Sequence, residues 1–146
     1  MTQMSKPIEC AIADTGLWFA LCDDHDQYRS EVGPYEDLLE LVTILIPWPS
    51  MYETLNSRFV KRTHIFRRFE RCLTRYTVDF IDDEPYRDAA YKQTLSFARI
   101  GRRPLSLVDM IIRFMIEDAN LKKHYLMTFN KEDFLDVCLS KRIEML

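Results

Sequence analysis

Four positions in this 146-residue chain stand where oxygen chemistry could be done: Asp14, Glu53, Asp109 and Asn130. Asp14 ends the apolar stretch "IECAIA", and Asn130 ends "HYLMTF", so both fall where a buried strand would give way to a turn. Glu53 and Asp109 fall in the first turns of two expected helices. In open parallel sheets ligands gather beyond the carboxyl ends of the strands, and side chains at all four places could converge there. Carboxylates brought within a few ångströms of one another repel, and ionisation is costly unless a cation joins them. A hard divalent ion with oxygen ligands, Mg²⁺ or Mn²⁺, resolves that conflict and can stabilise charge on a phosphodiester. Each residue also has a simpler structural reading. Asp14 suits the N-cap of a helix starting at Thr15. "SLVD", Ser106 to Asp109, is a capping-box pattern. Glu53 favours a helix dipole, and Asn130 suits a turn.

The elements that would position these residues alternate. Glu9 to Ala13 reads as a buried strand, and Thr15 to Cys22 as a helix. "DDHDQYRSEVGP" contains a loop, "YEDLLELVT" is a helix, and "ILIPWP" is a short strand stopped by two prolines. Helical spacing then runs from Ser50 to Arg62 and again from about His64 to Tyr76. "TVDFI" is a strand, and Pro85 opens a helix that ends near Gly101. "LSLVDMIIRFMIED" has the clearest periodicity, with Leu107, Met110, Ile111, Phe114 and Met115 in one stripe. "HYLMTF" is a further strand, and "KRIEML" is read as a last one. This pattern predicts an α/β domain with a mainly parallel sheet, a single unit over residues 1–146.

The composition, 47% apolar and 29% charged, is that of a globular protein. No apolar run approaches the roughly 20 residues that span a bilayer, so no membrane partner is expected. "MTQMSKPIEC" lacks a signal-peptide core, and the four scattered cysteines read as reduced thiols, which together predict a cytoplasmic protein without a structural zinc site. The net charge of −3 gives no global attraction to nucleic acid. Its distribution does: Arg58, Lys61, Arg62, Arg67, Arg68, Arg71 and Arg75 face a single acid, Glu70, within one segment. That segment could track RNA phosphates, meet an acidic partner, or be a solvated helix face. Arg99, Arg102 and Arg103 could extend it. Phe59, Phe66 and Phe69 are read as core, and the three histidines lack metal-ligand spacing.

Taken together, "ADTGLWFAL", "DDHDQY", "PWPSMYETL", "RPLSLVDMIIRFMIED" and "LMTFNKEDF" resemble the PIN-domain family of metal-dependent ribonucleases, in particular its VapC-like toxin branch. The order and spacing cover nearly the whole chain. The resemblance implies a three-layer α/β/α sandwich, with Asp14, Glu53 and Asp109 as the main metal-binding and catalytic acids and Thr15 in support. The family's fourth acidic position falls in "TFNKEDF". Asn130 stands where many members have Asp, Asp133 could take that role, and one firmly held ion is the safer expectation. The activity implied is hydrolysis of RNA phosphodiesters with Mg²⁺ or Mn²⁺. The implied partners are an RNA substrate, contacted by Arg58, Arg62, Arg68, Arg71 and Arg75, a cognate antitoxin, and a second copy of the chain.

Other readings of the same letters remain. "DTG" is the signature of aspartic proteases, but that fold is strand-rich and needs flap glycines, and this chain has three glycines in all. A non-catalytic module that binds RNA or protein without cutting, or a processing or phage-defence nuclease without antitoxin, would use the same residues.

Overall fold

The computed structural model describes residues 8–56, 58–101 and 104–146, with the side chain of Arg58 excluded. Five strands form one parallel sheet in the order β3-β2-β1-β4-β5: β1 is Cys10–Ala13, β2 Thr43–Pro47, β3 Val78–Ile81, β4 Tyr125–Met127 and β5 Glu144–Met145. The chain leaves β1 towards β2 on one side and returns to β4 on the other. The strand order therefore reverses between β1 and β4.

Alternation along the strands builds two cores. Ala11, Ala13, Ile44, Ile46 and Met127 face one layer, while Ile12, Leu45 and Leu126 face the other. The first layer contains α1 (Thr15–Cys22), α2 (Gly33–Leu39), α3 (Trp48–Leu55) and α4 (Thr63–Arg75). The second contains α5 (Glu84–Arg99), α6 (Leu107–Glu117) and α7 (Leu135–Lys141). Strands whose residues are buried on both faces read as continuous apolar runs, which is why "CAIA" and "TILIP" show no polar alternation. The result is the α/β/α sandwich expected from the sequence.

Helix α1 is apolar on nearly every side and none of its residues is exposed; Trp18 and Leu17 are fully buried, and Trp18 meets Phe69 of α4 edge-on at 5.4 Å. Burying such side chains contributes roughly 1.5–3 kcal/mol each, which fixes the helix that Asp14 caps. At α6 the expected capping box forms: the Ser106 hydroxyl accepts from the Asp109 N–H at 3.0 Å, and the Asp109 carboxylate accepts from the Ser106 N–H at 3.4 Å.

Four features differ from the sequence reading. The helix expected over "YEDLLELVT" ends at Leu39, and Thr43 already belongs to β2. Trp48 and Pro49 begin α3 instead of closing the strand, because proline's missing N–H costs nothing in a first helical turn. The helix expected from Ser50 to Arg62 ends at Leu55, and a 3-10 turn over Arg58–Lys61 follows. Helix α7 was not anticipated. Its seven residues bury only Val137 and Cys138, and it ends on Arg142 at φ 57° with no glycine to mark the stop. Among the described residues no helix is long and apolar enough to cross a membrane.

Candidate functional site

Asp14 lies at the point where the strand order reverses. Its main-chain N–H donates to the Met127 carbonyl at 3.1 Å, continuing the β1–β4 ladder one step past the strand. The carboxylate is held on both sides: one oxygen accepts from the Thr15 N–H at 2.8 Å, the other from the Thr128 hydroxyl at 3.0 Å. Thr128 in turn accepts from the Asn130 N–H at 3.1 Å, so the turn after β4 helps to orient Asp14. Only 6% of Asp14 is exposed. Burial pushes its carboxyl up to about 6, against the lowering effect of the Thr15 and Thr128 hydrogen bonds; the nearby charges of Asp109 and Glu53 push the same way as burial.

Thr15 carries the connection to α3. Its hydroxyl lies 3.0 Å from a Glu53 carboxylate oxygen and 3.3 Å from the Ser50 carbonyl, and its one proton favours the closer, charged acceptor. Glu53 is an exposed residue, yet its carboxyl is shielded enough to be raised, first by desolvation and then by Asp109, with Thr15 acting in the opposite direction. Asp14, Glu53 and Asp109 therefore share one electrostatic neighbourhood, although they belong to three different helices. Asp14 caps α1, and Asp109 lies in the first turn of α6. Glu53, expected in a first turn where the dipole favours it, stands in the second turn of α3, because that helix already starts at Trp48.

The same three acids are not drawn into a ready ligand set: among the described residues no three His, Cys, Asp or Glu side chains are grouped so as to hold an ion. The contacts show why. Glu53 is turned to Thr15, and Asp109 is turned back to its own helix cap. Like charges in a partly dry rim settle on separate hydrogen-bond donors. The donor chemistry, all carboxylate oxygen with hydroxyls beside it, fits a hard divalent ion.

The fourth position is less close-knit. Asn130 is exposed and precedes a 3-10 turn over Lys131–Asp133. The Asp133 carbonyl accepts from the Arg113 guanidinium at 2.7 Å, and Arg113 also grips Asp136 through two bonds of 2.7 Å. The carboxylates that raise Glu53 and Asp14 are those of Asp109 and of Glu53 itself. Thr128 is the residue that the sequence reading missed. Its only signal was a hydroxyl two places before Asn130 in "TFNKEDF".

The basic segment lies mainly on α4, where an open groove is lined by Arg67, Arg68 and Arg71. Much of its charge is already met. Arg62 pairs with Asp23 at 2.9 Å, Arg68 pairs with Asp24 at 2.9 Å and also donates to the Cys22 carbonyl at 3.1 Å, and Arg75 pairs with Glu40. Arg67 and Arg71 keep their charge unpaired among the described residues. The side chain of Arg58, together with Arg102 and Arg103, lies outside the described residues.

No family model matches the sequence, and no curated protein matches it. Among solved structures, the chain is similar in fold to one from the crystal structure of VapBC2 from Rickettsia felis bound to a DNA fragment from their promoter. The TM-score is 0.59 at 17% identity, over 94% of this chain and 97% of the other. At that identity the likeness concerns the fold alone.

Proposed function

We propose that this protein is a divalent-metal-dependent endoribonuclease of PIN type, acting as the toxin of a toxin–antitoxin pair. In this reading residues 1–146 form one cytoplasmic nuclease domain. The observation that carries it is Asp14: a carboxylate fixed by two hydrogen bonds at the strand-order reversal, its proton affinity raised by burial and further by the charges of Asp109 and Glu53. A site that concentrates negative charge, with no ion pair to Asp14 or Glu53 among the described residues, suits an added cation.

Asp14, Asp109 and Glu53 would hold Mg²⁺ or Mn²⁺, with Asn130 or Asp133 adding a further oxygen. The ion supplies electrostatic stabilisation of the charge that develops on the phosphodiester. Asp14 anchors the site because its orientation is fixed from two elements. Thr15 sets Glu53, whose raised proton affinity suits it to take a proton from the attacking water as the water oxygen bonds to phosphorus and the leaving ribose oxygen departs. Arg71, with Arg58, Arg62, Arg68 and Arg75, would meet the RNA backbone. The likeness to a VapBC2 chain supports a protein antitoxin as partner. The exposed aromatic face of Trp48, Tyr52 and Phe80, beside edge strand β3, supports a second copy.

The test is cleavage of single-stranded RNA by the purified protein with Mg²⁺ or Mn²⁺, with and without chelator, beside Asp14→Asn. Chelator-sensitive cleavage lost in the variant is the expected result; RNA left intact with both ions overturns the reading. One observation favours a non-catalytic module that binds RNA or protein without cutting: the three acids rest on separate donors instead of forming a set. Metal-independent RNA binding without cleavage would select it.

A further inference from the structure

Next to the carboxylate rim, a half-open hollow of about 390 Å³ lies beyond the carboxyl end of β4, against the segment that leads into α2. Its walls include Tyr28, Glu31, Pro34, Tyr35, Phe129 and Lys131. Phe129 joins it to the site already described. This residue follows Thr128, whose hydroxyl holds Asp14, and its ring rests against the first turn of α1, where a Cβ added to Gly16 would meet it at 3.6 Å. The rings of Tyr28 and Phe129 are stacked, 4.4 Å between centroids and 1° apart in tilt, and Tyr35 stands edge-on to Phe129 at 5.4 Å. Tyr35 is itself fixed, because its hydroxyl donates to the Leu146 carbonyl.

We propose that this hollow is a nucleobase subsite, occupied by a base of the RNA strand next to the bond that is cut. The proposal rests on the ribonuclease reading and adds to it a substrate preference. Three features favour a base over other occupants. The flat, preordered aromatic wall offers a stacking surface, which unpaired bases use without needing a duplex groove. The volume sits near the small end of ligand pockets, roughly 300–1,000 Å³, and suits a single ring system more than an extended chain. Two opposite charges complete the lining. The Lys131 ammonium suits the nucleotide's phosphate, and the Glu31 carboxylate accepts hydrogen bonds from an exocyclic amine. Adenine, cytosine and guanine carry that amine and uracil does not, so the subsite favours the first three.

The test follows the ring resonances of Tyr28 and Phe129 by NMR while the four ribonucleoside 5′-monophosphates are added to the full chain without divalent ions. Expected are shifts of both rings with AMP, CMP and GMP, and binding of UMP about fivefold weaker or less, as the loss of one charge-assisted hydrogen bond predicts. Tyr28→Ala weakens binding of all four about tenfold, whereas Tyr28→Phe keeps it, which separates loss of the stack from loss of the fold. Glu31→Ala brings UMP level with the others, and Lys131→Ala weakens nucleotides but not nucleosides. Rings that stay unshifted at millimolar nucleotide overturn the proposal, as does binding unchanged by Tyr28→Ala or a base ranking that survives Glu31→Ala. Ring shifts without RNA cleavage would sink the nuclease reading and leave the subsite standing. RNA cleavage with unshifted rings would do the reverse. An aromatic side chain of a partner protein that competes with no nucleotide, but shifts the same rings, also counts against it.

Discussion

The acidic rim and the basic face of α4 are the two charged regions the sequence offers for function, and the fold treats them oppositely. On and just before α4, acids from elsewhere reach the arginines. Asp23 follows α1 and pairs with Arg62, Asp24 follows it and pairs with both Arg68 and Arg29, and Glu40 follows α2 and pairs with Arg75. At the rim, no arginine or lysine among the described residues forms an ion pair with Asp14 or Glu53. Asp14, Glu53 and Asp109 rest on hydroxyls and N–H groups, and burial first, with mutual repulsion adding to it, raises the proton affinity of the first two. Exposed ion pairs contribute little stability and are easily exchanged for other partners. An uncompensated buried carboxylate opposes folding and persists where something else compensates for it. The rim therefore leaves Asp14 and Glu53 without an ion pair among the described residues, whereas the α4 face has part of its charge already paired.

Breaking the rim should give the largest effect. Asp14→Asn or Asp109→Asn is expected to lower RNA cleavage at least about a hundredfold with the fold retained, as measured by single-turnover cleavage beside circular dichroism. Adding Mn²⁺ should raise the melting temperature of the wild type in a concentration-dependent way and leave Asp14→Asn unmoved. An equal response in both would place the ion elsewhere.

The pH dependence sharpens the comparison next. Asp14 is raised to about 6 in the folded protein, above its unfolded value near 3.9, so the metal-free fold gains from its protonated form at low pH. That contribution is complete below about pH 4 and is lost as pH rises through 6, a change on the order of 3 kcal/mol. Denaturant titrations of wild type minus Asp14→Asn between pH 4 and 7 should show that fall, and saturating Mn²⁺ should remove it. Smaller still is Ser106→Ala, expected to cost about 1 kcal/mol in the same titrations through loss of the α6 cap. Weakened Mn²⁺ binding in that variant would show that the cap also positions Asp109.

The smallest effects belong to α4. Arg71→Glu, at a position with no ion pair among the described residues to release, should weaken RNA binding and lower the salt slope by about one phosphate contact. Arg68→Glu should do so less per charge, since Arg68 first has to leave Asp24. Equal losses at the two positions would mean that the ion pairs on this face yield freely to RNA.

The layered α/β architecture was legible because its signals are local and repeated. "CAIA", "TILIP" and "YLM" are apolar on both faces, as strands covered on two sides must be. The stripe and the "SLVD" cap of α6 needed only their own few residues. Helix α7 escaped because seven residues with two buried side chains carry too little periodicity to stand out. The break after Leu55 escaped because the apolar spacing continues through Phe59 although the helix does not.

Of the site, the sequence determined the kinds of atoms and most of their addresses: Asp14 at a strand's end, Asp109 in a first turn, and hydroxyls beside them. Glu53 fell one turn deeper into its helix than expected because α3 starts at Trp48. The tertiary structure decided which of those addresses share one space, that Thr128 holds Asp14 from another strand, and that Asp23, Asp24 and Glu40 answer the arginines. The reason is physical. A cap or a stripe depends on neighbours within one helical turn, whereas the energy between two charges depends on their separation and on the dielectric around them. Both are fixed only once the sheet has brought β1 beside β4 and closed the helices over it.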